Sequence, residues 1–344
     1  MNRIVLDGMG SDDHPTPELQ AAAEASRRWD DPLHVTGPKD RLAPQLEALG
    51  VPPTRVVVED AREVLQMTDK AAGAARGKAD SSMAVGIEML RDGRADAFVT
   101  AGNTGGAMAT ALMRLGRIRG VKRPALAPTF PVAGGRAIVL DIGANVDCRP
   151  EYLLQFAIMG SVYAQFSLGV PSPRVGLLSN GEEAGKGTAL LHEAFPLLQR
   201  SSLNFVGNVE PKEVYSGEVD VAVTDGFTGN IFLKTSESVA KFLIETIRDE
   251  ITAGLVTKAG GALARPAFQR VRRVLDPAEY GAVPLLGVDG LVFIGHGRSD
   301  SRALINAIAA ARRAVDAGLL EALRSSLRAS LASDTIPQRS SEVE

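Results

Sequence analysis

The chain has 344 residues, of which 45% are hydrophobic and 23% are charged, a balance typical of soluble globular proteins built from one large or two fused units. Its net charge of −3 gives no global electrostatic case for nucleic-acid binding. The single cysteine, Cys148, excludes an intrachain disulfide and fits a reducing cytoplasm.

Short apolar runs recur along the chain, and a glycine-rich turn and a helix-like segment follow each run. The runs are residues 4–6, 97–99, 137–140, 175–178, 221–223 and 291–294. This alternation predicts an α/β fold, a three-layer α/β/α arrangement around a mostly parallel sheet. Ligands bind at the carboxyl ends of strands in such sheets, so the turns are predicted to outline one site.

The segment 96–105 has a partner in the second half of the chain. Segment 220–229 lies 124 residues later and is identical at six of ten positions. Either a good strand–turn–helix connection occurs twice, or two similar halves each contribute a loop to a shared cleft. We interpret residues 1–332 as a single large α/β unit made of two such halves, followed by a polar, disordered tail over 333–344.

The stretch 152–173 is uncharged and long enough to span a bilayer. Its glutamines, serines and prolines favour a buried helix instead.

Residues 236–278 have helical spacing interrupted by glycines, which predicts a helical hairpin that projects from the sheet.

The predicted turn of this hairpin, residues 254–263, is apolar for an exposed segment. Leu255, Val256 and Leu263 are therefore candidates for a membrane-contacting tip. A basic run follows the turn, and it is either a solvated face or a contact for an acidic protein or anionic lipid headgroups. Its arginines are Arg265, Arg270, Arg272 and Arg273.

The loop 102–106 is the first candidate for chemistry. Glycine-rich loops between a strand and a helix present backbone amides to an anion, aided by the positive end of the helix. Asn103 and Thr104 add side-chain donors next to Gly102 and Gly105. The alternative is a tight turn without a ligand.

Lys186 and His296 are the other candidates. Lys186 lies between Gly185 and Gly187 and supplies a compact charge suited to phosphate or an oxyanion, unless it is an ordinary loop lysine. His296 lies between two glycines after a strand, where it could donate to an oxyanion or move a proton, unless it is only a turn residue.

Several common sites are not indicated. The sequence has no dinucleotide-binding fingerprint near the N-terminus and no P-loop motif. No metal-ligand spacing occurs, so we expect no metal. Cys148 has no activating neighbour other than Arg149, which favours a structural thiol over an acyl-accepting nucleophile.

Together these motifs resemble the PlsX family of phosphate acyltransferases, in order from Leu6 to about Ala310. The most specific stretch is 141–160, which begins Asp-Ile-Gly-Ala-Asn. The other matching segments are 80–83, 101–105, 182–187, 225–236, 280–287 and 296–297. The chain departs from the family pattern at Gly8, Ser11 and 178–181, and its basic cluster before Asp80 is reduced to Arg76 and Lys78.

The resemblance implies acyl transfer from acyl carrier protein to inorganic phosphate, which yields acyl phosphate for phospholipid synthesis. It implies a fold similar to isocitrate/isopropylmalate dehydrogenases and phosphotransacetylases. It further implies a homodimer without metal or organic cofactor, in the cytoplasm and peripherally associated with the membrane, upstream of a glycerol-3-phosphate acyltransferase. No nucleic-acid partner is expected.

On this reading, the amides of 103–105 and Lys186 hold phosphate, and Asn230 and His296 serve the thioester oxygen or proton transfer. The wider substrate-binding set comprises Asp7, Gly102, Asn103, Thr104, Gly105, Asn145, Gly185, Asp225, Gly226 and Gly229. Three alternatives remain at this point: a phosphotransacetylase that uses coenzyme A, a decarboxylating dehydrogenase, and a non-catalytic membrane scaffold. The dehydrogenase would need an arginine cluster and carboxylate metal ligands, which the sequence does not indicate.

Overall fold

The structure is a computed structural model that describes residues 2–334, with the backbone alone for residues 277 and 331–334. Its strands are short, and the six that coincide with the apolar runs end in the predicted turns. They are β1 (Ile4–Asp7), β2 (Leu33–Gly37), β3 (Val56–Asp60), β4 (Ala97–Thr100), β5 (Ala125–Leu126), β6 (Thr129–Val132), β7 (Gly135–Leu140), β8 (Val175–Leu178), β9 (Phe205–Val209), β10 (Val221–Val223), β11 (Val283–Leu286) and β12 (Leu291–Ile294).

Helices alternate with these strands. They are α1 (Thr16–Arg28), α2 (Lys39–Ala48), α3 (Ala71–Gly77), α4 (Ser82–Arg91), α5 (Thr104–Arg114), α6 (Pro150–Ser167), α7 (Ala189–Arg200), α8 (Pro211–Ser216), α9 (Gly226–Thr252), α10 (Leu255–Leu275), α11 (Ser301–Asp316) and α12 (Leu319–Asp334), with a short 3₁₀ helix at Pro277–Glu279. The last helix reaches Asp334, which lies inside the segment predicted as a tail, and the rest of that segment lies outside the described residues.

The strands divide between two sheets. The first has seven strands in the order β3-β2-β1-β4-β12-β11-β5, and the second has five in the order β6-β7-β10-β8-β9. Most pairs are parallel, whereas β11 runs antiparallel to both β12 and β5, and β6 runs antiparallel to β7. The predicted α/β class with a predominantly parallel arrangement is confirmed, and all six apolar runs identified in the sequence are strands.

The repeated segments occupy equivalent central places in the two sheets. Strand β4 lies between β1 and β12, and β10 lies between β7 and β8. Asp96 precedes β4 and accepts hydrogen bonds from the backbone and guanidinium of Arg3. Asp220 precedes β10 and accepts the same set from Arg174. Each arginine precedes a neighbouring strand, so the likeness of the two segments extends to how their strands are anchored.

The uncharged stretch 152–173 forms most of α6, and the prediction of a buried helix is confirmed. Phe156, Met159 and Ala164 on this helix are fully buried against the second sheet and its flanking helices. No helix within residues 2–334 combines the length and the hydropathy needed to cross a membrane.

The helical hairpin has different bounds from the predicted 236–278. Its first helix, α9, begins at Gly226 inside the candidate site, and its second, α10, begins at Leu255. The predicted turn 254–263 is therefore helical except at Gly254. Thr257 caps this helix by accepting from the Gly254 amide, which compensates for the low helix propensity of Gly260 and Gly261.

Two helical glycines provide a test of this packing. A Cβ at Gly160 in α6 would lie 2.7 Å from side-chain atoms of Leu140 and Val221, whereas one at Gly260 in α10 would meet open space. We expect Gly160→Ala to lower the free energy of unfolding by about 1–3 kcal/mol through overpacking. Gly260→Ala should raise it by about 0.5–1 kcal/mol. Urea denaturation of both variants measures the shifts, and shifts of the same sign would contradict this packing.

Candidate functional site

Three adjacent parallel strands carry the first group of candidate residues. The register aligns Leu6 of β1 with Val99 of β4, and Thr100 with Ile294 of β12. Asp7 ends β1, the loop 102–105 follows β4 and His296 follows β12, so these residues lie at the carboxyl ends of adjacent strands in the first sheet. The amide of Gly295 donates to the Thr100 carbonyl at 2.7 Å, which holds His296 beside the loop.

The side chain of Asn103 serves the structure of its own loop. Its Oδ1 accepts from the Gly106 amide at 2.9 Å and so caps α5, and its Nδ2 donates to the carbonyls of Gln66, Met67 and Asp69. In the described part of the chain, the exposed amides of Thr104 and Gly105 have no acceptor. An anion at the start of α5 would therefore meet these backbone N–H donors rather than the side-chain amide of Asn103.

Asp7 lies behind this loop and is 2% exposed. Its carboxylate accepts from the Thr100 hydroxyl at 2.8 Å and from the Met9 amide at 3.1 Å. Burial raises the pKa of Asp7, although hydrogen bonds from Ser82, Thr100 and Met9 oppose the shift. Because it is buried, Asp7 is placed to support the loop rather than to contact a ligand.

A second group of candidates lies at the carboxyl edge of the second sheet, on β7, β10 and β8. Asp141 directly follows β7, is fully buried, and accepts four hydrogen bonds. Its Oδ1 binds the amides of Leu126 and Ala144, and its Oδ2 binds the amide and the side chain of Asn145. Burial raises the pKa of Asp141, and these donors oppose the rise. Sequence reasoning identified Asn145 but not Asp141, which orders it.

The glycines of the second loop are explained by close backbone contact. The Gly226 amide donates to the Asn145 carbonyl at 2.8 Å, and a Cβ at Gly229 would lie 2.0 Å from the Asp141 carbonyl oxygen. Asn230 is exposed and borders Gly143. These contacts pack α9 against the Asp141 loop.

The two repeated loops differ in their electrostatics. Asp225 occupies the helix cap in the second loop, where its carboxylate accepts from the amide and hydroxyl of Thr228 at 2.8 Å each. The first loop has the neutral Asn103 at its cap. A carboxylate beside the helix N-terminus already neutralises its positive end, so the first loop is the better anion site.

Lys186 is exposed and has no carboxylate partner within residues 2–334. Its backbone amide donates to the Glu183 carbonyl, which also accepts from the buried Asn208 side chain. The loop is tied further by Lys212, whose ammonium contacts Glu182 at 2.8 Å. Glu182 forms a three-carboxylate group with Glu210 and Glu213, and Lys212 contacts all three.

His296 is exposed but lies near charges from both halves. Partial burial of its ring is the largest factor that lowers the pKa of His296, and the positive charges of Arg298 and Lys234 lower it further. Because the ordinary value is about 6.5, the imidazole is neutral at pH 7 and has a free lone pair. Sequence reasoning missed Lys234 and Arg298 as residues that set this environment.

The two groups of candidates lie in different sheets and are not bonded to each other within the described residues. No hydrogen bond or ion pair within the described chain joins the loop 102–105 to Lys186 or Asn230. The electrostatic influence of Lys234 on His296 connects helix α9 to the edge of the first sheet.

The remaining candidates are residues of the hairpin and the thiol of Cys148. Leu255, Val256 and Leu263 are 86–87% exposed, and Arg265, Arg270, Arg272 and Arg273 are exposed. Burial raises the pKa of Cys148 to about 11, which disfavours the thiolate and supports a structural thiol.

The buried carboxylate of Asp141 gives a direct test of the second loop. In Asp141→Asn, an NH₂ group replaces one of the two carboxylate oxygens. Each oxygen accepts two hydrogen bonds, so in either orientation of the new amide two N–H groups lose their acceptor and face an N–H donor. We expect the free energy of unfolding to fall by about 3 kcal/mol. Asp147→Asn is a matched control on the same loop, because Asp147 is exposed, and it should change stability by less than about 0.5 kcal/mol. Equal denaturation midpoints for the two variants would refute this role for Asp141.

Comparison of the fold with solved structures finds phosphotransacetylases. A Streptococcus pyogenes phosphotransacetylase has a TM-score of 0.60 at 15% identity, with 92% of this chain and 94% of that chain covered. A 4-hydroxythreonine-4-phosphate dehydrogenase from Klebsiella pneumoniae has a TM-score of 0.52 at 14% identity, covering 92% and 100%. At these identities the likeness concerns the fold alone.

Comparison of the sequence identifies much nearer relatives. The chain is 49% identical to a phosphate acyltransferase of Myxococcus xanthus, over 92% of this chain and 91% of that protein. It is 46% identical to a phosphate acyltransferase of Acidobacterium capsulatum, over 95% and 97%. The family model described as "Fatty acid synthesis protein" matches residues 2–322. The chain therefore belongs to the fatty acid synthesis protein family, together with relatives that are phosphate acyltransferases.

Proposed function

We propose that this protein is an acyltransferase that converts acyl-[acyl carrier protein] and inorganic phosphate to acyl phosphate and free carrier protein, for phospholipid synthesis. The observation that carries the proposal is the pair of unpaired amides at Thr104 and Gly105, which open an anion site at the N-terminus of α5 beside His296. The relatives named phosphate acyltransferase support the same chemistry.

The proposed mechanism is a direct attack of phosphate on the thioester. A phosphate oxygen forms a bond to the acyl carbonyl carbon, and the resulting tetrahedral oxyanion collapses with cleavage of the C–S bond. The thiolate leaves and takes up a proton. Because a thiolate is a good leaving group, no enzyme-bound acyl intermediate is required, in agreement with the raised pKa of Cys148.

The residues divide this work between the two halves. The amides of 104–105 hold phosphate, and Lys186 neutralises its charge from the opposite sheet. Asn230 donates to the thioester oxygen as it becomes negative, and the neutral imidazole of His296 accepts the proton of the attacking phosphate. Positioning of two reactants contributes up to about 7–11 kcal/mol in ideal cases, and one oxyanion donor about 3–4 kcal/mol.

The decisive assay measures phosphate-dependent release of free carrier protein from acyl carrier protein, in parallel with acyl-coenzyme A. Faster turnover of the carrier-protein substrate supports the proposal. Turnover of the coenzyme A substrate alone would instead identify a phosphotransacetylase, for which the fold likeness is the one favourable observation. Turnover of neither substrate would leave the non-catalytic scaffold.

Lys186→Ala tests the contribution of the second sheet to phosphate binding. Removing a charge that faces the anion should raise the phosphate KM or lower kcat by about tenfold or more. Lys122→Ala is the matched control, because Lys122 is also an exposed lysine and lies outside both candidate groups. Near-wild-type kinetics of the Lys186 variant would remove this residue from the site.

The proposal includes the cellular location and the partners of the enzyme. Exposed Leu255, Val256 and Leu263 form a membrane-contacting tip on a cytoplasmic protein, and the nearby arginines contact anionic headgroups or the acidic carrier protein. Exposed Val239, Phe242 and Leu243 on α9 offer an apolar face to a second copy in a homodimer. A glycerol-3-phosphate acyltransferase would consume the acyl phosphate at the membrane.

The tip is tested by the triple variant L255Q/V256Q/L263Q. Loss of three exposed apolar side chains should weaken flotation with anionic liposomes by about tenfold or more. Activity on soluble acyl carrier protein should remain, since the tip is separated from the site by the length of α9. Val206→Gln is a control at an exposed apolar position in β9 and should float like the wild type. Unchanged flotation of the triple variant would end the membrane proposal.

A further inference from the structure

We infer that Thr100, held by the buried Asp7, is a positioning residue that aims the 102–105 loop at phosphate. The inference rests on the proposed function, because it assigns phosphate to this loop. Neither residue contacts the ligand in this account. They act through the backbone of the loop.

A continuous chain of hydrogen bonds carries the argument. The hydroxyl of Thr100 donates to Asp7 Oδ2 at 2.8 Å and accepts from the Gly102 amide at 2.9 Å. A threonine hydroxyl has a single hydrogen, and the carboxylate can only accept it. The direction of both bonds is therefore fixed, and Gly102 is held at the point where the chain leaves β4.

Burial makes this chain of hydrogen bonds rigid. Thr100 is 0% exposed and Asp7 is 2% exposed, so water does not compete for either bond. The Met9 amide occupies the second oxygen of Asp7. The loop therefore leaves β4 in a single direction, which directs the amides of Thr104 and Gly105 outward to the solvent.

The second half provides the contrast that points to function. Thr224 occupies the place of Thr100 in the repeat, and the backbones of Thr224 and Asp141 bond to each other. The buried Thr224 hydroxyl nevertheless has no partner within residues 2–334, because Asp141 is saturated by other donors. Within residues 2–334, the hydroxyl-to-amide link thus exists in the half whose loop leaves the adjacent Thr104 and Gly105 amides without acceptors, and not in the half where the Gly226 and Thr228 amides are paired.

Matched valine variants test the inference. Thr100→Val keeps the shape of the side chain but removes both bonds, and we expect the KM for inorganic phosphate to rise by about tenfold or more, with a smaller change in kcat at saturating phosphate. Thr224→Val removes an unpaired hydroxyl and should keep the wild-type phosphate dependence. Thr100→Ser retains the hydroxyl and should keep the phosphate KM within about threefold of the wild type.

Two outcomes overturn the inference. One is a folded Thr100→Val variant with the wild-type phosphate KM. The other is a folded Thr100→Ser variant that loses phosphate affinity, since this would assign the effect to the methyl group. Thermal unfolding of each variant establishes that it is folded, and the serine variant keeps the test valid if the valine variant does not fold.

Calorimetric titration with inorganic phosphate separates this inference from the proposed function. If the wild type binds phosphate but does not release carrier protein, the proposed function fails, and weaker binding by Thr100→Val still supports the positioning role. Equal phosphate affinity of the wild type and Thr100→Val, or no binding by the wild type, overturns the inference.

Discussion

Buried carboxylates at the ends of two strands order both halves of this molecule. Asp7 ends β1 beside Thr100, and Asp141 follows β7 beside Thr224. Each carboxylate is removed from water, which is unfavourable unless every oxygen finds donors. Backbone amides of the adjacent turns, together with the Thr100 hydroxyl at Asp7 and the Asn145 side chain at Asp141, satisfy that demand, so the turns fold around the carboxylates. The loops that form the candidate site therefore depend on these two groups.

The two halves use this arrangement differently. In the second half the carboxylate of Asp141 accepts four hydrogen bonds, and helix α9 packs against its loop. In the first half it engages the hydroxyl of Thr100 and leaves amides at the start of α5 unpaired. The second loop is thus packed closely against α9, whereas the first leaves the amides of Thr104 and Gly105 exposed and without acceptors in the described part of the chain. The repeat supplies a common scaffold, and the change from Asn103 to Asp225 relative to the start of the helix separates the two uses electrostatically.

Much of the fold was predictable because its central strands are short, apolar and followed by glycine-rich turns. Several other strands were not identified, since Leu33–Gly37 and Val56–Asp60 lack such turns and the antiparallel β5, β6 and β11 depend on tertiary pairing. The predicted turn at 254–263 was wrong because its glycines at 260 and 261 were interpreted as a turn, whereas helix α10 begins at Leu255 and continues through them.

The site was predictable as a set of loops but not as a set of contacts. The sequence indicated the donors of Asn103 and the charge of Lys186. It could not show that the side-chain amide of Asn103 donates to the carbonyls of Gln66, Met67 and Asp69. Nor could it show that Lys234, eight positions after the start of α9, lies near His296. These relations arise from the packing of the two halves and have no local sequence signal.

Helix α9 links the chemistry to the periphery without a break. It begins at the Asp225 cap in the site and continues for 27 residues to the turn before Leu255, a length of about 40 Å. Successive residues of an α-helix are rotated by about 100°, so inserting or deleting a residue within α9 would swing the outer end of the hairpin around the molecule while the capped end stays in place. The length of this helix therefore fixes the direction in which its outer end faces relative to the site, independently of which side chains it carries.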